Sequence, residues 1–192
     1  MRRPAAAAFL VALGALFVVV VASATGNASG KEMKELRSLV RTGEEAPSFT
    51  LKALDGKTVS FRPGGGKPSL IVFWSAFCPL CREFTPAIND VARRLGSTIR
   101  LASINLDGKR FNNAVQSFVK ENGILYPVLM DSLRGDFFVA SDPYGVAKTP
   151  TAVLVDASGK VHSAYEAEDM KKLFANFDGI VSGLKTGHAV KK

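Results

Sequence analysis

The chain has 192 residues, 47% hydrophobic and 22% charged, which is enough for one ordinary globular domain and a short extra segment and excludes disorder over most of the length. Lys and Arg number 25 against 17 acidic residues, a formal charge of +8, but Arg2 and Arg3 belong to a targeting segment, and the remaining +6 forms no dense basic block, so nucleic-acid binding is set aside. Two cysteines can build neither a disulfide-dense framework nor a four-thiolate metal site; they can make one disulfide.

Met1-Arg2-Arg3 leads into an apolar run from Ala5 to Ala22 and then Ala22-Ser23-Ala24, the small-x-small pattern that signal peptidase accepts. Residues 1–24 are therefore an export segment. The run is at the lower limit for crossing about 30 Å of hydrocarbon, so cleavage after Ala24 and retention as an N-terminal membrane anchor both fit it, the Ala-x-Ala site favouring cleavage. Either way the Arg pair stays cytoplasmic, and the rest faces the periplasm or the outer face of the membrane. Residues 25–43 read as a spacer, 44–185 as the domain and 186–192 as a solvated tail.

Within the domain, Phe49-Thr50-Leu51 and Thr58 to Phe61 alternate around Asp55-Gly56, a hairpin signal. Arg62 to Pro68 is loop. Ser69 to Trp74 is a continuous apolar run, as in a central strand buried on both faces. Leu80, Phe84, Ile88, Val91 and Leu95 recur at helical spacing up to Gly96. Ile99 to Ile104 follows as a strand, Phe111 to Asn122 as a helix, Tyr126 to Met130 as a short strand, and Asp136 to Ala140 as a helical turn. Thr151 to Val155 and Val161 to Tyr165 make a hairpin across Asp156-Ala-Ser-Gly159, and Met170 to Leu184 carries an amphipathic stripe.

Cys78-Pro79-Leu80-Cys81 falls just after the buried strand, where the helix starts. Two thiols three apart can close a disulfide across one helical turn, and the unpaired N–H groups with the helix dipole stabilise a thiolate on the first sulfur. Cys78 is thus the expected nucleophile and Cys81 the resolving thiol. A structural disulfide closing so short a loop would restrict the unfolded chain little. A metal site needs more ligands than His162, in a strand, and His188, in the tail, supply; a two-thiolate copper(I) site is a better alternative than tetrahedral zinc.

Phe73 to Cys81 resembles the active-site segment of thioredoxins, with Trp74 four before the first cysteine, Phe77 immediately before it, and Pro86 where that family kinks the helix. Tyr144 to Thr151 followed by Ala152 to Lys160 resembles the family's cis-proline strand and hairpin. The 72 positions from Cys78 to Pro150 exceed the spacing of plain thioredoxin, and with the leading Ala46-Pro47-Ser48-Phe49 and Asp55-Gly56 hairpin this is similar to the TlpA/ResA-like exported thioredoxins. The resemblance implies a thioredoxin-like α/β fold, a central mixed sheet flanked by helices, with an N-terminal hairpin and an inserted helix-strand unit. It makes Pro150 cis, with the Thr149 N–H and C=O beside the sulfurs and free to pair with an extended substrate. Trp74, Phe77 and Pro79 would shape and rim that site. Val72 stands where thioredoxin keeps a buried acid, so a different base or water must serve Cys81. Asp107 is the nearest acid, readable as an acid/base group or as a loop or helix cap.

The implied activity is thiol-disulfide exchange outside the cytoplasmic membrane. No cofactor or metal is expected beyond the redox-active Cys78–Cys81 disulfide. No charge or polar donor stands between the cysteines, which favours a reductant. The expected partners are an exported protein bearing a disulfide or dithiol, by family analogy an apocytochrome c during cytochrome c maturation, and a membrane thiol electron donor, with the protein itself a monomer. Two other readings are a copper(I) chaperone or docking module using the same cysteines, and a peroxiredoxin-like peroxidase. Ser75-x-x-Cys78 partly matches the peroxidatic pattern, but Ile71 stands where it wants proline.

Overall fold

A computed structural model describes residues 38–185. The proposed export segment, most of the spacer and the tail lie outside the described residues. Among the described residues no helix is long and apolar enough to cross a membrane.

All six side chains of β3, Ser69–Trp74, are buried. Such a strand is stable only with neighbours on both edges and cover on both faces. It pairs in parallel with β4, Arg100–Asn105, and antiparallel with β8, Thr151–Val155. β5, Val128–Met130, extends the parallel part beside β4. The hairpin of β1, Phe49–Ala53, and β2, Thr58–Phe61, adds to β5 in antiparallel register. The other edge is closed by the strand Val161–Glu166, which pairs antiparallel with β8. The result is one mixed seven-stranded sheet, as expected.

Alternate residues of β3 feed opposite faces. Ile71 and Phe73 pack with Phe49, Leu51, Ile104, Tyr144 and Val153. Leu70 and Val72 pack with Phe84, Ile88 and Val91 of α1, Pro79–Leu95, and with Met170, Leu173, Phe177 and Val181. A third cluster joins Trp74 and Cys81 to Val115 and Phe118 of α2, Asn112–Glu121. Between β4 and β8 the chain forms α2 and β5, a helix-strand pair. Val40 is already in the core, and its N–H reaches the Tyr144 carbonyl at 3.1 Å.

The sequence departs from expectation at Asp136 to Ala140. Instead of a helical turn there is a hairpin of β6, Leu133–Arg134, and β7, Phe137–Phe138, followed by the one-turn α3, Ser141–Tyr144. Its two-residue loop opens with Gly135 at φ +63°, the position where tight hairpins need glycine. The reason lies in buried Asp131, whose carboxylate accepts the N–H groups of Ser132, Ala140 and Ser141 at 2.9, 3.1 and 2.9 Å. Asp142 takes the Phe138 N–H at 2.7 Å, so helical bonding begins only at Ser141. At the C-terminus the apolar stripe is carried by two helices, α4, Met170–Ala175, and α5, Phe177–Lys185, broken at Asn176. With these helices counted, the edge strand Val161–Glu166 is β9 and the sheet order is β2-β1-β5-β4-β3-β8-β9.

Asp131→Ala strands the two buried N–H groups of Ala140 and Ser141, and each orphaned donor costs about 1–3 kcal/mol. The expected outcome is a loss of more than about 2 kcal/mol, read as a lower urea midpoint.

Candidate active site

β3, β4 and β5 run parallel, so their C-terminal ends, Trp74, Asn105 and Met130, share one edge of the sheet, where open α/β sheets place their ligand sites. Ser75 to Phe77 carry the chain from β3 into α1. Cys78 is the N-cap of that helix and Pro79 its first residue, where a missing N–H costs nothing. The Cys78 sulfur accepts the Cys81 N–H at 3.3 Å, the role an oxygen plays in an ordinary cap. The helix runs on through Pro86, and the Thr85 hydroxyl donates to the Cys81 carbonyl at 2.7 Å.

The two thiols, both free, sit in different surroundings. Cys78 is half-buried and Cys81 only 2% exposed. Burial, reinforced by the adjacent Cys78 sulfur, pushes the Cys81 thiol up to about 12. From 71 positions away Thr149 arrives at the same place: its carbonyl accepts the Cys78 thiol at 3.3 Å, and the Thr149–Pro150 bond is cis. That carbonyl, expected beside the sulfurs, accepts from the thiol and keeps a second acceptor position. The Pro150 carbonyl accepts the Ala167 N–H at 2.8 Å.

Other expected site residues sort by burial. Phe77 is 60% exposed and Pro79 exposed, so both form the rim. Trp74 does not. It is 5% exposed, its indole N–H donates to Ser103 Oγ at 2.8 Å, and its ring lies 4.9 Å from that of Phe118. It supports the cysteines from below, lining with Val72, Cys81, Thr85, Tyr126 and Pro150 a narrow cavity whose Val72 wall offers Cys81 no base.

Asp107 is a brace. Its carboxylate accepts the Ala76 N–H and the Asn105 amide, both at 2.8 Å, and a short hydrogen bond from the Ser75 hydroxyl. Ser75 Oγ also accepts the Phe77 N–H at 3.1 Å. The end of β4 thereby grips the loop that presents Cys78, and the hydroxyl a peroxidatic reading would aim at the sulfur is directed to Asp107. Asn105 and Phe111, whose ring meets Phe77 edge-on at 5.1 Å, carry no site role in the sequence reading, and Ser75 carries only the peroxidatic one. The Asn105-x-Asp107 pair carried an available signal, since the Asp107 N–H returns to Asn105 Oδ1 at 3.0 Å in an Asx turn.

A mixed sheet flanked by helices, with a dithiol capping a helix beside a cis-proline, defines a thioredoxin-like thiol-disulfide oxidoreductase. Comparison with known proteins agrees. The chain belongs to the AhpC/TSA family, whose profile matches residues 42–175. The thiol-disulfide oxidoreductase ResA of Bacillus anthracis is 30% identical over 133 residues, covering 69% of this chain and 74% of the relative. ResA of Halalkalibacterium halodurans is 30% identical over 142 residues, 72% and 77% of the two chains. Among solved structures, a thiol:disulfide interchange protein from Bacteroides sp. superposes with a TM-score of 0.60 at 26% identity, over 79% of this chain and 97% of that one.

The asymmetry of the two thiols has a direct readout. At neutral pH iodoacetamide should modify reduced Cys78 and leave Cys81 untouched. Labelling of Cys81 should rise only as the pH climbs toward its elevated pKa, because only the thiolate reacts. Mass spectrometry of peptides from protein alkylated at several pH values checks it.

Proposed function

We propose that this oxidoreductase works as a reductant of exported protein disulfides, with Cys78 as nucleophile and Cys81 as resolving thiol. The observation that carries the reading is the contrast between the half-buried, helix-capping Cys78 and the buried Cys81, with its thiol held up to about 12. The Cys78 thiolate attacks a substrate disulfide, forming a mixed disulfide and releasing one substrate thiolate. Cys81 then gives up its proton and its sulfur attacks Cys78, releasing the second substrate thiolate. Two electrons and two protons pass to the substrate, and the protein is left as the Cys78–Cys81 disulfide. A thiol donor at the membrane returns the two electrons.

The direction follows from how weakly the dithiol form is stabilised. A strong oxidant holds its thiolate with charges or several donors. Here the Cys78 sulfur has one N–H donor, and burial holds the Cys81 thiol against ionisation. Neither sulfur of the reduced site is held as a thiolate by a charge or by several donors, which favours passing electrons on. Pro150, Thr149, Phe77 and Pro79 make the surface against which a substrate segment lies, Trp74 supports it from inside, and Asp107 fixes the preceding loop. The acid/base role open to Asp107 would require it to release the hydrogen bonds that hold that loop.

Residues 1–24 place this work outside the cytoplasmic membrane, either as a cleaved signal or as a retained anchor. The relatives named ResA support a substrate among exported dithiol proteins, with apocytochrome c the specific candidate and a monomer the working form.

Two experiments test the reading. Cys81→Ser should accumulate mixed disulfides with exported proteins, visible on non-reducing gels, whereas Cys78→Ser should trap none; equal trapping by both is incompatible with the assigned roles. Equilibrated with thiol buffers, the pair should have a potential near about −270 mV or lower, and a value near about −120 mV would reverse the direction.

A further inference from the structure

The rim of the site carries charge that the fold leaves unused. Phe77, immediately before the nucleophilic sulfur, is held edge-on by Phe111. The Arg110 guanidinium lies 4.7 Å from the Phe111 ring centroid, and Lys109 is exposed beside it. The bend that leads into β8 carries exposed Lys148, one residue before the Thr149 carbonyl that touches Cys78. Among the described residues Lys109, Arg110 and Lys148 make no ion pair, in common with several other surface cations, but these three stand beside the site.

Three carboxylates of the surrounding elements are engaged elsewhere, and half-buried Glu166 makes no ion pair among the described residues. Asp107 is taken by Ser75, Ala76 and Asn105, Glu121 by Arg82 at 3.7 Å, and Glu83 by Lys171 at 3.5 Å. Glu166 belongs to the edge strand β9, opposite Thr151. An exposed aromatic ledge with three unpaired cations therefore borders the sulfur.

We infer that this rim is a docking surface for protein substrates whose disulfide lies in an acid-flanked segment. The inference builds on the reductant reading. Carboxylates on both sides of the substrate cysteines would meet Lys148 on one hand and Lys109 with Arg110 on the other, while apolar side chains between them cover Phe77. Such a field raises the encounter rate with acidic segments and turns away basic ones. The same cations favour the substrate thiolate that leaves when Cys78 attacks.

The test uses the reduced full-length protein and two disulfide-bridged peptides of equal length, one with glutamates flanking the cysteines and one with lysines. At low salt the glutamate peptide should be reduced about tenfold faster. That ratio should fall toward one near 1 M salt, where the screening length is about 3 Å. In the combined variant Lys109→Gln, Arg110→Gln, Lys148→Gln the low-salt ratio should also fall toward one. Equal rates with the wild-type protein, or a ratio that survives in the variant, would overturn the inference while leaving the reductase reading in place. Failure to reduce either peptide or the neutral bis(2-hydroxyethyl) disulfide would instead remove the reductase reading itself.

Discussion

A strand with six buried side chains has no choice about where it emerges from the sheet. Everything at the site depends on that constraint. The position of Trp74 at the end of β3 dictates where Ser75 to Phe77 run, and that in turn decides where the first turn of α1 points its unpaired N–H groups. The neighbouring strands complete the arrangement in register: β4 ends level with β3 and delivers Asp107 to the loop, and β8 runs antiparallel and delivers Thr149 from the opposite direction. Three segments distant in sequence meet at one sulfur because three adjacent strands share an edge.

The chemistry then follows from unequal environments given to identical side chains. A thiol at a helix N-terminus is offered a donor, and a thiol one turn further in is offered apolar walls. Val72 is part of that wall, so the inner thiol has no buried carboxylate at hand to take its proton. Under the proposed mechanism the outer sulfur is the one a substrate meets, and the inner one stays protonated until the mixed disulfide has formed.

Much of this was legible in the residues. The apolar run Ser69 to Trp74 and the helical spacing from Leu80 to Leu95 reported the burial of both elements, because burial on two faces or on one leaves different periods. The cysteine spacing and the proline 72 positions on carried the site through resemblance. What escaped was decided by side chains acting on a distant backbone. Nothing in Asp136 to Ala140 announces that Asp131 holds the N–H groups on which a helical turn would have started. The thioredoxin-like segment puts Trp74 at the site by its place four before Cys78, and only the alternation of β3 and the Ser103 hydroxyl reveal that it points inward. Asp107 showed its proximity to the site but not its partners, since Ser75 and Ala76 lie more than thirty residues away.

The contact between the Cys78 thiol and the Thr149 carbonyl has an exclusive character. A carbonyl oxygen accepts from S–H but is repelled by a sulfide anion, and a sulfur in a disulfide has no hydrogen to give. The contact therefore exists in only one protonation state of one oxidation state. The oxygen keeps a second acceptor position throughout, and the first is released only when the sulfur loses its hydrogen. Under the proposed mechanism one main-chain oxygen therefore senses both the state of the sulfur and a backbone laid along it.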